Sequence, residues 1–171
     1  LDLVDGRLGV VVPHGVLFRG ASEKRIRAEV VKENLLDGVI GLPANLFFGV
    51  GIPAALLFMR RGRADNEGVF FIDASSEFEK GKAQNRLRPE DLDKIIGTWQ
   101  LRRDLSKYAH LASQSEIEAN DFNLNVSLYV DTFEEEEQVD LEALKAEIAR
   151  LDQQLADSRA VLERSLKELG L

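Results

Sequence analysis

The chain has 171 residues, 44% hydrophobic and 30% charged, with a formal net charge of −8 and no cysteine. That length can bury a core, while the acidic balance argues against the whole chain acting as a nucleic-acid sleeve. Without cysteine there is no disulfide framework and no thiolate metal site, which fits the cytoplasm, and no apolar run approaches the roughly 18 residues of a membrane span. The first residue is Leu1 rather than Met and no signal-peptide pattern follows, so the chain reads as a piece of something longer. Residues 1–63 hold 9 Lys/Arg against 6 Asp/Glu, and residues 64–171 hold 13 against 24. A polyanion contact is therefore expected in the first third.

Gly6 to Pro13 reads as a short buried strand stopped by Pro13 and Gly15. Ser22 is the expected cap of a helix from Glu23 to about Asn34, with Ile26, Val30 and Val31 on its apolar face. Lys24, Arg25, Arg27 and Lys32 should be mostly solvated. A strand at Asp37–Leu42 completes a strand–helix–strand unit, which predicts parallel strands and a right-handed crossover. The stretch Leu35–Arg61 is the most apolar of the chain, with glycines and prolines between short hydrophobic runs. It reads as strand, irregular loop and strand, the second run being Ala54–Arg60. Val69–Asp73 is a fourth strand, and its closeness to the third favours a hairpin between the two.

Ser75 to Arg88 is a polar surface excursion. Pro89 opens a helix to about Arg103 with Leu92, Ile95, Ile96 and Trp99 as an amphipathic stripe. Tyr108 to Ala119 is ambiguous, and a turn-rich segment ends in the run Val126–Val130. The acidic run Glu134–Glu137 precedes a terminal helix with Asp140 as N-cap and Val139 and Leu144 as a hydrophobic staple. It should reach about Leu169, roughly 45 Å. Its seam of Leu141, Leu144, Ile148, Leu151, Leu155 and Leu162 asks for a partner helix, and self-association through that seam is a fair expectation for the chain alone. The expected organisation is thus a sheet over residues 1–73, a surface excursion and helical extension over 74–131, an acidic linker over 132–139, and a long helix over 140–171.

No catalytic constellation emerges from the residues themselves. Gly49-Val50-Gly51 follows a strand but opens no helix, and Ala54 stands where a dinucleotide fingerprint needs its third glycine. His14 and His110 lack a metal-site partner at helical spacing. His14 does follow a strand end, where functional groups often sit in α/β sheets. No G-x-S-x-G, P-loop or paired-carboxylate spacing occurs, and Asp73 reads as a turn residue. Phe47 and Phe48 have two readings, as core residues or as a stacking surface for a planar ligand, and composition does not separate them.

The run GRLGVVVPHGVLFRG, the basic helix, and NLLDGVIGLPANLFFGVGIPAALLFMRR together resemble the modification subunits of type I restriction systems, which are N6-adenine DNA methyltransferases. The likeness continues through VFFIDASSEF, KGKAQNRLRPEDLDKI and NDFNLNVSLYVDT, covering about residues 6–132. It implies a Rossmann-like sheet of seven strands, the last antiparallel within a hairpin, of which this chain supplies the final ones. Neither the family's glycine-containing cofactor motif nor its Asn-Pro-Pro-Tyr/Phe tetrapeptide occurs here. The resemblance therefore implies a C-terminal portion without catalytic or cofactor-binding residues, inactive alone and binding no S-adenosylmethionine alone. In the intact subunit the implied reaction is methyl transfer from S-adenosylmethionine to the N6 of a flipped-out adenine in double-stranded DNA. Phe48, with Phe47 as the fallback and Gly49 beside them, falls at the family's base-stacking position. Family members commonly carry aspartate where this chain has His14. The terminal helix corresponds to the tail that docks on the specificity subunit, the restriction subunit joining in the full complex. Two other readings stand beside this one: a non-catalytic assembly module, and half of an unrelated Rossmann-type methyltransferase.

Overall fold

The computed structural model describes residues 6–64, 67–132, 145, 147–155, 158–159 and 162. Two compact units divide the chain, Leu1–Phe133 and Glu134–Leu171. The first is built on five strands: β1 (Arg7–Pro13), β2 (Leu36–Gly41), β3 (Ala54–Arg60), β4 (Val69–Asp73) and β5 (Ala109–Ala112). Three α-helices interrupt them: α1 (Ala21–Lys32), α2 (Pro89–Leu101) and α3 (Gln114–Ala119). Short 3-10 turns lie at His14–Leu17 and Val126–Leu128.

The four longer strands lie where the apolar runs put them, but their order differs from the expectation. The sheet runs β1-β3-β2-β4-β5, with β3 antiparallel to both of its neighbours and β4 parallel to β2. Thus β1 and β2 point the same way, as a strand–helix–strand unit demands, yet β3 separates them. The expected β3–β4 hairpin does not form; the hairpin is β2–β3, and β4 lies on the far side of β2. The reason is burial. Every residue of β2 is buried, and a strand that apolar is stabilised by a neighbour on each edge as well as a layer on each face. β3 returns along one edge of β2, and the link from Arg61 to Gly68 carries the chain past the end of β2 to the other.

Each face of the sheet has its own core. On one, Val39, Leu57, Phe71 and Ala55 pack with Leu17, Val31, Ile117 and Leu124. The rings of Phe71 and Tyr129 stack there at 3.9 Å between centroids. On the other, Ile40, Phe70 and Ile72 pack with Ile95, Tyr108 and the flanking Trp99. Gly38 is the point of closest approach on this face: a Cβ there would stand 2.5 Å from the Trp99 ring and 2.6 Å from the Phe70 carbonyl oxygen.

Helix α1 starts at Ala21 after Gly20, and no side chain caps it, so Ser22 is a helical residue rather than the cap. Its face is also rotated from the expected one. Ile26 is 56% exposed, while Arg27 is buried. The Arg27 guanidinium donates to the carbonyls of Val16 (2.7 Å), Arg19 (2.8 Å) and Phe122 (3.0 Å), tying the helix to the turn before it and to a loop 95 residues away. Carbonyls left unpaired in these irregular segments would cost more than burying a satisfied guanidinium. Helix α2 ends at Leu101, two residues early, with Arg102 in the left-handed conformation at its cap. Of its stripe only Ile95 is buried; Leu92 and Ile96 are exposed. The ambiguous segment resolves into β5 and α3, the latter capped by Ser113.

β2 carries one bulge. Leu36 faces Met59 and Gly38 faces Phe58, so Asp37 is the extra residue. A bulge re-aims its side chain, and Asp37 meets Arg63 at 3.3 Å, Arg102 at 3.2 Å and Arg60 at 3.6 Å.

Both tyrosines of the chain are buried in this unit. Burial pushes the Tyr108 hydroxyl upward and raises that of Tyr129 to about 12. A folded-state value above the unfolded one means stability present in full below about pH 10 and lost as the pH rises towards about 12. Spectrophotometric titration should therefore show almost no tyrosinate until the protein unfolds, with both residues ionising together at the transition; a smooth ionisation near the free-tyrosine value would refute this.

In the second unit, Lys145, residues 147–155, 158–159 and Leu162 are helical, with Ile148, Leu151, Leu155 and Leu162 exposed. Leu141, Leu144, Val139, Asp140 and the acidic run lie outside the described residues. No described helix is long and apolar enough to cross a membrane.

Candidate functional site

β1, β2 and β4 are parallel to one another, so their carboxyl ends at Pro13, Gly41 and Asp73 lie at one end of the sheet. Ligand sites in open α/β sheets gather at that end. Two features meet there, the β2–β3 loop and a cavity at its root.

The loop covers residues 42–53. Its start is pinned, with Leu46 packed against the α2-side core and Asn85 donating from its backbone and side chain to the carbonyls of Asn45 (2.7 Å) and Ala44 (2.8 Å). Its return is pinned as well, by the Leu42 amide on the Ala54 carbonyl and the His14 amide on the Pro53 carbonyl. Between these anchors, Val50 N–H donates to the Phe47 carbonyl at 3.0 Å, closing a turn over Phe48 and Gly49. Gly49 has φ of +73°, the left-handed value that the third position of a type II turn requires. The turn directs Phe48 away from the protein, and it is 87% exposed, while Phe47 is 42% exposed. Val50 and Ile52 add to this apolar surface. Neither phenylalanine is core, so the bland reading of the pair fails.

The cavity, about 230 Å³, is lined by His14, Gly41, Pro53, Asp73, Asn125 and Ser127, together with Leu42, Ser75 and Val126. One oxygen of Asp73 accepts the Ser75 amide at 2.9 Å, the turn contact expected of it. His14 opens the 3-10 turn after β1 and sets its ring edge-on to Phe18, 5.6 Å away. Residues bearing imidazole, carboxylate, amide and hydroxyl groups thus line a cavity at the root of an apolar loop. Asn125 and Ser127 escaped the sequence reading, since nothing in a turn-rich segment tells which strand end it folds against. Asp73 was visible only as a turn former, because a β3–β4 hairpin does not put it beside Gly41.

His110 belongs elsewhere. It lies on β5 between Glu116 (3.1 Å) and Asp104 (3.4 Å), and Asp104 also accepts the Leu111 amide at 2.7 Å. With the Ala109 amide on the Leu105 carbonyl, these contacts finish the outer edge of the sheet. No cluster of three or more His, Asp or Glu placed to hold a metal ion occurs among the described residues.

A sequence model of the N-6 DNA methylase family matches residues 3–138. The methylase subunit of the type I restriction enzyme MjaVII of Methanocaldococcus jannaschii is 39% identical over 140 residues, spanning 79% of this chain and 24% of the relative. That of MpnII from Mycoplasma pneumoniae is 29% identical over 165 residues, 96% of this chain and 30% of the relative. The crystal structure of a type I methyltransferase subunit from Streptococcus thermophilus superposes with a TM-score of 0.72 at 49% identity, covering 75% of this chain and 27% of the other. This chain therefore spans about a quarter to a third of the length of these proteins.

Proposed function

The chain belongs to the N-6 DNA methylase family, and on that premise we propose that it is the C-terminal portion of the modification subunit of a type I restriction system. The intact subunit methylates adenine N6 in double-stranded DNA, S-adenosylmethionine being the methyl donor. This portion supplies the last strands of the sheet and one wall of the pocket for the flipped base. Its terminal helix docks on the specificity subunit, which selects the DNA sequence, and the restriction subunit completes the assembly. The carrying observation is Phe48: a bare aromatic face at the carboxyl end of the sheet, on a loop fastened at both ends. Such a face stacks on any base. The exposed Ile148, Leu151, Leu155 and Leu162 support the docking role of the helix.

S-adenosylmethionine does not fit the residues present. The cavity under the loop is about 230 Å³, below the roughly 300–1,000 Å³ of small-molecule sites. The larger cavity at the other end of β1 is lined by three arginines, Arg7, Arg60 and Arg102, against one carboxylate, Asp37, a net positive setting that disfavours a sulfonium cation. On this reading the part of the subunit outside this chain holds the cofactor and supplies the groups that polarise the adenine amine. What this chain contributes is a surface that holds the base flat once it has left the duplex.

The test is methyl incorporation from labelled S-adenosylmethionine into unmethylated duplex DNA. The full-length subunit assembled with its specificity subunit should form N6-methyladenine, and this chain alone should form none. Absence of N6-methyladenine from the full assembly would overturn the reading.

A further inference from the structure

Phe48 is 87% exposed, so little packing of its own holds the ring, and its place is set by the backbone beneath it. That backbone is fastened at the root by strand neighbours, and between root and tip Asn85 holds it twice. The Asn85 backbone amide donates to the Asn45 carbonyl at 2.7 Å, and its side-chain amide donates to the Ala44 carbonyl at 2.8 Å. Asn45 has φ of +55°, a left-handed conformation that costs free energy in a non-glycine residue and persists only where the surroundings impose it. Its side chain reaches the returning limb of the loop, since a Cβ on Gly51 would stand 3.4 Å from Asn45 Oδ1. Asn85 thus grips the residue that touches both limbs.

Asn85 is itself held in a stiff frame. It lies in a hairpin where Glu79 and Arg86 exchange backbone hydrogen bonds of 2.9 and 3.1 Å and pair through their side chains. The turn is so tight that a Cβ on Gly81 would meet the Gln84 carbonyl oxygen at 2.2 Å. Beyond it, Leu87 packs against the same core as Leu46, and Arg88 joins the buried Asp91 of α2 at 2.8 Å. Fixed groups therefore run without a break from α2 through the hairpin to the loop. Asn45 stands three residues before Phe48, a tether of at most about 11 Å, so movement at the grip reaches the ring.

We propose that Asn85 is a positioning residue for methyl transfer, fixing where the Phe48 ring meets the flipped adenine through its hold on the Ala44 and Asn45 carbonyls. This rests on the reading of Phe48 as the base-stacking surface. Placement of that kind matters to the rate, since a misplacement of 1 Å at a reacting centre can cost about a hundredfold. An asparagine that merely satisfied two loop carbonyls would be felt in stability and not through Phe48.

A double-mutant cycle separates these roles. Asn85→Asp keeps the shape and sets an acceptor against the Ala44 carbonyl in place of a donor. In the full-length subunit assembled with its specificity subunit, it should lower kcat/KM for unmethylated DNA by about tenfold. In the Phe48→Ala background the same change should cost less than about twofold, because the ring it positions is gone. Equal losses in the two backgrounds would overturn the proposal, as would no loss in the parent. If Asn85→Asp fails to assemble, Asn85→Ala removes the same side-chain bond without adding a charge and should lose about threefold, with the same dependence on Phe48. Chymotrypsin cleavage after Phe47 or Phe48 reads the anchoring without the reaction. Asn85→Asp should speed it by about tenfold in the full-length subunit, since a protease takes a loop that has opened locally; an unchanged rate would overturn the proposal. Faster cleavage alongside a parent assembly that forms no N6-methyladenine counts against the function and not the anchoring. An active assembly with unchanged cleavage does the reverse.

Discussion

Phe48→Ala in the full-length subunit, assembled with its specificity subunit, should lower kcat/KM for unmethylated DNA by about 5- to 150-fold, the equivalent of the ~1–3 kcal/mol that one stacked base contributes. Melting temperature should not move, because Phe48 is 87% exposed and its turn is closed by backbone groups. Phe48→Trp should keep most of the activity, since the larger face also stacks. Phe47→Ala should cost less activity and a little stability, as that ring is more than half covered. The comparison is informative because the folding cost of Phe48→Ala is close to zero, so any lost rate belongs to the bound base. Unchanged kcat/KM for Phe48→Ala would remove Phe48 from the pocket and return Phe47 as the stacking residue.

Arg63→Met should destabilise this chain by about 1–3 kcal/mol for each buried acceptor it leaves unpaired. The side chain is 1% exposed, and its guanidinium donates to the carbonyls of Leu36, Glu67 and Gly68 and to the Asn34 side chain. Burial pulls its pKa below the usual arginine value, opposed by Asp37 and Glu67. After Arg63→Met, Asp37 still has Arg60 and Arg102, so its charge is not orphaned. What is orphaned is the set of carbonyls at the ends of β2 and β4, and those are the costly part. Arg63→Lys should recover only a minor share, because an ammonium cannot span acceptors that a planar fork reaches together. Urea unfolding provides the measurement: a lower midpoint with unchanged slope is expected for Arg63→Met, and a midpoint like the parent's would refute it.

Arg63 also shows where sequence reading stops. In the string RRGRADNEG it looks like one charge among several in a polar turn, and its burial follows only from β4 crossing to the far side of β2. Arg27 is the same case within a helix, solvated by every local rule and yet bonded to three carbonyls supplied by two irregular segments. The strands themselves were legible, since apolar runs bounded by glycine, proline and polar turns mark β1 to β4 almost to the residue. Their order was not, because pairing joins segments that no local pattern links, and proximity in sequence favoured the wrong hairpin. β5 was missed for a different reason: Ala-His-Leu-Ala is too short and too mixed to carry a period. Of the candidate site, the loop was legible, but the choice between core and stacking surface for Phe47 and Phe48 was not, since the exposure of Phe48 follows from the left-handed turn at Gly49 beside it. The cavity beneath it was not, since it gathers residues from five separate places in the chain.

The two rims of the sheet are finished differently. At β5 the outward amides of Ala109 and Leu111 are already taken by the Leu105 carbonyl and the Asp104 carboxylate. At β1, among the described residues, no strand pairs with the outer side, where Val11 is 52% exposed. A sheet blocked on one rim and bare on the other has a polarity of growth. Further strands add only beside β1, and two such sheets meeting bare rim to bare rim leave nothing for a third. Stray association along this edge therefore ends in pairs rather than fibrils.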